Sequence, residues 1–117
     1  MAIKNAFASV PVKDVNAAAE WYSQLLERPA RRPMDEVAEW EFDGGGGLQA
    51  YELPERAGGG SVTLAVSDIE AHAEAVKRLG VDDPRVSSNP RVKTLMITDP
   101  DGNHIAFAEA SDPSLLR

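Results

Sequence analysis

Asp99, Asp101 and Asn103 alternate through the stretch TDPDGNH, and oxygen-bearing side chains at that spacing suggest a calcium loop. Such a loop carries its glycine at the sixth position and a bidentate glutamate at the twelfth. Here Gly102 is fourth, and the twelfth residue counted from Asp99 is Ala110. The residues spell a turn instead. Asp99 suits the first position of a type I turn, Pro100 presets the backbone of the second, and Gly102 takes the left-handed conformation that closes a hairpin. The apolar runs Leu95 to Ile97 and Ile105 to Ala108 are its two strands.

Histidine offers the other chemistry. His104 follows the turn and shares a strand face with Ala106 and Ala108, where it is a candidate general base or ligand contact. His72 lies at the edge of a helical apolar stripe, and packing is the simpler role for it. Tyr51 shares the face of Gln49, and the two make a polar handle for a ligand. Catalytic residues stay unassigned, with His104 and Tyr51 the weak candidates. No nucleophile–base–acid arrangement can be assembled, because neither histidine has a serine or carboxylate partner at a telling spacing. Zero cysteines exclude disulfides, thiolate metal sites and a cysteine nucleophile.

The elements that must position these residues follow from periodicity. A chain of 117 residues, 43% apolar and 26% charged, has the size and composition of one soluble domain. No run approaches the roughly 18 apolar residues of a membrane span, and the first residues lack a signal-peptide core, so a cytoplasmic protein is expected. A net charge of −7 argues against nucleic acid. Arg28, Arg31 and Arg32, the one basic cluster, are too few to reverse that. Ala6 to Val12 alternate as a half-buried strand with Pro11 near its edge or end. Asp14 caps a helix with the stripe Val15, Ala18, Ala19, Tyr22, Leu25 and Leu26, ended by Pro29. Strands are expected at about 30–34, 37–42 and 48–53, with the glycine run Gly44 to Gly47 as a flexible turn. Within 37–42, Trp40 and Phe42 alternate with Glu39 and Glu41. One pair faces the core and the other faces outward, and either assignment is open.

After the linker PERAGGG, residues 54–60, the chain starts over. Strand 61–66 runs into Asp68, which caps a helix with the stripe Ile69, Ala73, Val76 and Leu79, stopped by Gly80. A weak strand near 85–87 and the hairpin complete the set. One constant offset places Val12 on Val66, Asp14 on Asp68, Val15 on Ile69, Ala19 on Ala73 and Leu25 on Leu79. A slightly larger one sets Leu48 on Ile105. The chain is therefore two copies of βαβββ, residues 1–53 and 61–110, with a tail at 111–117 whose polar start and Pro113 suggest a loosely held end. Each copy is too small to bury its own helix, and sharing a continuous sheet solves that problem.

A doubled βαβββ unit, a strand running into V-x-D before an Ala-rich helix, and a closing DPDGN-x-I hairpin resemble the vicinal oxygen chelate superfamily. Glyoxalase I, ring-cleaving dioxygenases and bleomycin-resistance proteins belong to it. The resemblance covers about 3–110 and implies an α+β fold. Its paired modules form a curled, cup-shaped mixed sheet with helices on the outer face. In metal-using members, four ligands sit near the start of each first strand and on each last strand. Those positions fall on Phe7, Gln49, Ser61 and Ala106, where the family uses His, Glu or Gln. Phenylalanine and alanine have no lone pair, serine is a poor ligand, and Gln49 alone cannot hold an ion against water. No metal and no cofactor is expected.

The expected cup face carries Phe7, Ser9, Gln49, Tyr51, Ser61, Thr63, Thr94, Met96, His104 and Ala106, with Trp40 added if its ring faces inward. That lining is mixed and neutral, with no carboxylate pair. The resemblance favours a metal-free protein that binds or sequesters a small, partly aromatic molecule, as in the bleomycin-resistance branch. The acidic balance weakly favours a cationic one. A metal-free enzyme of lyase, isomerase or dioxygenase type and a non-catalytic interaction domain are the alternatives. Homodimerisation is implied by the resemblance, because such cups are often completed across a two-fold axis.

Overall fold

In a computed structural model that describes residues 2–81 and 84–111, the chain forms two successive βαβββ modules. The first contains β1 (Phe7–Val12), α1 (Val15–Leu26), β2 (Arg31–Met34), β3 (Val37–Glu41) and β4 (Gly47–Glu52). The second contains β5 (Ser61–Ala65), α2 (Ile69–Arg78), β6 (Val86–Ser88), β7 (Val92–Thr98) and β8 (His104–Ala110). Asp112 and the rest of the expected tail lie outside the described residues. Each module has one four-stranded sheet, ordered β1-β4-β3-β2 and β5-β8-β7-β6, with a parallel pair at β1–β4 and β5–β8. The expected continuous sheet is instead two separate ladders whose β1 and β5 edges abut. The internal echo survives this difference, because strand order and direction match module for module.

Both helices begin as their sequences dictate. Asp14 accepts from the amides of Asn16 and Ala17, and Asp68 from that of Ala71. A second acceptor comes from the far end of each module. Glu52 on β4 takes the amide of Val15 at 3.1 Å, and Glu109 on β8 takes that of Ile69 at 2.9 Å. A carboxylate there satisfies an orphan first-turn donor and complements the positive end of the helix dipole. Glu109→Ala should therefore lower stability by about 1 kcal/mol, read as a lower urea midpoint at unchanged slope. At its other end α1 stops earlier than expected. Glu27, with φ of 55°, turns left-handed two residues before Pro29 and ends it.

The helix stripes pack on one side of the sheets. Val10, Tyr22, Leu25, Trp40, Leu48, Ile69, Val76, Leu95, Ile105 and Phe107 run together into one buried cluster drawn from both modules. His72 lies flat on Phe107, with centroids 5.1 Å apart, in the packing role its position suggested. Trp21 is half-buried and meets Tyr22 edge-on.

The closing turn does more than reverse the chain. The Gly102 amide donates to the Asp99 carbonyl at 3.0 Å, and Gly102 has a φ of 99°, as the turn chemistry requires. The buried Asp99 carboxylate then accepts from the amides of Asp101 and Asn103, from the Asn103 side chain and from the Tyr22 hydroxyl at 2.6 Å. Asn103 reaches the Pro11 carbonyl on β1 and accepts from the Gly60 amide. A turn in module two is thus bound to a strand and a helix in module one. The segment 54–60 is held by the same contacts. A Cβ on Gly60 would lie 2.9 Å from Asn103 Oδ1, and one on Gly58 would collide with the Asp101 carbonyl, so these glycines permit close approach more than slack.

Burial raises the pKa of the Tyr22 phenol well above its ordinary value, and the hydrogen bond to Asp99 and the charges of Asp99 and Asp101 raise it further. The native state therefore favours the neutral phenol. Its contribution is complete below the unfolded value of about 10 and is lost as pH rises beyond that. Urea midpoints should hold to about pH 9 and then fall. Tyr22→Phe, less stable at neutral pH, should show a shallower alkaline fall.

Candidate functional site

Strand alternation gives each sheet a helix side and an inner side. The register sets Ser9 beside Gln49 and Gln49 beside Glu39, so these three share the inner side of module one. They are joined there: Ser9 Oγ lies 3.3 Å from Gln49 Oε1, and Gln49 Nε2 lies 3.3 Å from Glu39 Oε2. Arg31 continues the chain, 3.7 Å from Glu39 and 2.5 Å from Glu41. Phe7 stands in register with Gly47, and its ring occupies the space a Cβ on Gly47 would need. Glycine is required at that point in the strand, and the flexible turn expected over Gly44 to Gly47 ends one residue early. Tyr51, in register with Val37, is half-buried on the same side.

Module two presents Ser61, Thr63, Thr94, Met96, His104 and Ala106 on its inner side. Thr63 pairs with Ala106, Met96 with Ala106, and His104 with both Ser61 and Thr98. Met96 is 60% exposed, a large side chain left without cover. His104, Ser61 and Thr63 are exposed as well. Phe7, Ser9, Gln49 and Tyr51 therefore share one face, and the six residues of module two share the matching one.

Trp40 requires a correction. Its ring lies on the helix side, 1% exposed, 5.6 Å from the ring of Tyr22, and its indole N–H donates to Ser23 Oγ at 3.3 Å. It lines the core and not the inner face, and Phe42 packs partly against the same core. The opposite phase corrects a second expectation. With Trp40 turned away, Glu39 and Glu41 face inward, and the lining carries a carboxylate pair with one arginine between. The alternation of acidic and aromatic residues in β3 was visible in the sequence. Its phase was not, because a pair of aromatic rings can fill a core or line a pocket wall.

The four positions where the superfamily resemblance implies metal ligands are Phe7, Gln49, Ser61 and Ala106. Gln49 is the strongest donor among them, and its amide is already engaged by Ser9 and Glu39. A hydrocarbon ring, a methyl group, a neutral hydroxyl and one amide do not fit a divalent first-row ion. Among the described residues, no three His, Cys, Asp or Glu side chains lie together as a metal group. Among the described residues, His104 makes no hydrogen bond or ion pair with a carboxylate. No helix among the described residues is long and apolar enough to cross a membrane.

The family model of the glyoxalase-like domain matches residues 7–108. A solved glyoxalase / bleomycin resistance protein from Catenulispora acidiphila is 35% identical, with a TM-score of 0.80 over 92% of this chain and 98% of its own. TnmS3, an antibiotic binding protein from Streptomyces sp. CB03234, is 24% identical, with a TM-score of 0.79 over 95% of this chain and 99% of its own. The bleomycin resistance determinant encoded on transposon Tn5 is 17% identical, with a TM-score of 0.72 over 94% and 100%. At the last two identities the likeness is one of fold. Among curated proteins, none matches significantly. With a family model spanning nearly all of both modules, the chain belongs to the glyoxalase-like family of the vicinal oxygen chelate superfamily.

Proposed function

We propose that this protein binds and sequesters a small, partly aromatic organic molecule on the inner face of its paired sheets, without a metal. The observation that carries this is the lining itself. Phe7, Tyr51 and Met96 offer apolar and aromatic surface, while Ser9, Gln49, Thr63 and Thr94 offer neutral hydrogen bonds. The four family ligand positions hold side chains that do not suit an ion. Glu39 and Glu41 outnumber Arg31 on module one, and their surplus negative charge favours a cationic group at that end. TnmS3, which shares this fold, is described as an antibiotic binding protein, and that supports a small-molecule ligand.

Affinity from enclosure requires cover that one open face does not supply. We propose that a second copy supplies it, as a cytoplasmic homodimer, which sedimentation at micromolar concentration would detect. A thermal-shift panel of neutral, anionic and cationic aromatic compounds tests the binding function. A compound at 100 times its dissociation constant should add about 2.7 kcal/mol. Cationic members should shift the melt most, and Glu39→Gln should reduce their shift while leaving neutral members unchanged. A panel without a single shift would contradict the proposal.

A further inference from the structure

Strand alternation sets Glu39 and Glu41 two residues apart on the inner side of β3, with Arg31 on the edge strand β2 directly opposite Glu39. The Arg31 guanidinium spans both carboxylates. Its Nη1 lies 2.5 Å from Glu41 Oε1, and its Nη2 lies 3.7 Å from Glu39 Oε1. Although Glu39 is its register partner, Arg31 leans to the diagonal neighbour, and the contact with Glu39 is too long for a hydrogen bond. Glu39 is otherwise held as a binding group would be. It is 9% exposed, and Gln49 Nε2 donates to its Oε2 at 3.3 Å while Gln49 Oε1 accepts from Ser9. That chain fixes the amide and, through it, the carboxylate. No described residue donates a hydrogen bond to Glu39 Oε1. Every buried side-chain polar atom among the described residues has a partner, so Oε1 keeps contact with solvent. The Arg31 side chain, by contrast, is loosely placed: it is 63% exposed, and all four residues of β2 are exposed on a strand of irregular register.

From this geometry we infer that Glu39 and Glu41 form a clamp for a guanidinium or amidinium group of the ligand, and that Arg31 is the resident occupant which that group displaces. The inference rests on the reading of the inner face as a ligand site and names the cation that site takes. A planar cation with N–H groups on two nitrogens reproduces the Arg31 bridge and, free of a backbone tether, closes fully on Glu39. A quaternary ammonium has no N–H to offer and is discriminated against. Arg31 sets the threshold for entry. An occupant present about nine-tenths of the time lowers the apparent affinity for an incoming cation about tenfold.

The test uses methylguanidinium chloride, which needs no aromatic binding surface, with tetramethylammonium chloride as the control of equal charge. Protein labelled with 13C and 15N reports through the carboxylate carbons of Glu39 and Glu41, the Gln49 side-chain amide and the Arg31 Nε–H. In the unaltered protein, saturable shifts are expected at these groups together, as Arg31 leaves the clamp. Arg31→Ala should bind methylguanidinium about tenfold more tightly, and Arg31→Gln should do the same if the alanine variant loses its edge strand. Adding Glu39→Gln to either should abolish the gain. Tetramethylammonium should give only the unsaturating drift of ionic strength. Equal affinity in the unaltered protein and the Arg31 variants, an equal response to tetramethylammonium, or a Glu39 signal that never moves would each overturn the proposal. An aromatic panel without shifts, beside methylguanidinium exchange as expected, would contradict the sequestering function and uphold the clamp.

Discussion

Asn103→Ala is expected to cost about 3 kcal/mol, lowering the urea midpoint with the slope unchanged. The side chain is fully buried and makes three hydrogen bonds to three different parts of the chain. It donates to Pro11 on β1 and to Asp99 in its own turn, and it accepts from Gly60 in the connection between modules. Truncation leaves a buried carbonyl, a carboxylate oxygen and an amide each short of a partner, and the loss of partners outweighs the lost methylene packing. Asn103→Asp should be nearly as damaging, because it sets a second carboxylate against Asp99 in a site closed to water. A loss under about 0.5 kcal/mol for Asn103→Ala would show that the turn does not hold the modules together.

Trp40→Ala should be the largest single loss in module one, about 3–5 kcal/mol, since it empties a fully enclosed site under α1. Trp40→Phe keeps most of the volume and should cost about 1 kcal/mol, including the bond to Ser23. The functional consequence is equally specific. Because the ring faces Tyr22 and not the inner face, Trp40→Phe should leave the affinity for any inner-face ligand unchanged. Calorimetric titration of the variant with a compound selected by thermal shift checks it. Weaker binding with normal stability would place the ring in the ligand site after all.

The elements legible in the sequence are those written in local chemistry. Asp14 and Asp68 cap helices through amides two or three residues away, and Gly102 closes its turn within four residues, so composition and spacing suffice. The doubled module was legible because the same local signals recur at a constant offset. What escaped were features set by partners distant in sequence. Glu52 and Glu109 reach helix amides from the last strand of each module, a pairing that no spacing rule announces. The inward phase of Glu39 and Glu41 depends on β3 lying in register with β4, and that register is a property of the assembled sheet. Likewise Asn103 stands out in the sequence only for its place in the oxygen-bearing spacing of the closing turn. Its larger role, binding Pro11 and Gly60, appears only when the modules meet.

The inner-face residues divide the same way. Alternation groups Phe7 with Ser9 and Gln49 with Tyr51, the superfamily resemblance sets both pairs on one face, and the hydrogen bond between Ser9 and Gln49 joins them there. The side taken by Trp40 stayed open, and its place among the lining residues fell, because an aromatic ring can fill either a core or a pocket wall. Arg31 was overlooked as a site residue because three nearby arginines read as one cluster, although strand alternation sends neighbours to opposite faces.

The most direct test of a metal-free inner-face site is an NMR titration of the strongest compound from the panel, run on chelator-treated protein with EDTA present. Saturable perturbations at Ser9, Gln49, Tyr51, Thr63 and Ala106, with the affinity unchanged by chelation, are predicted. Binding that disappears with EDTA and returns with stoichiometric nickel, zinc or iron would contradict the account.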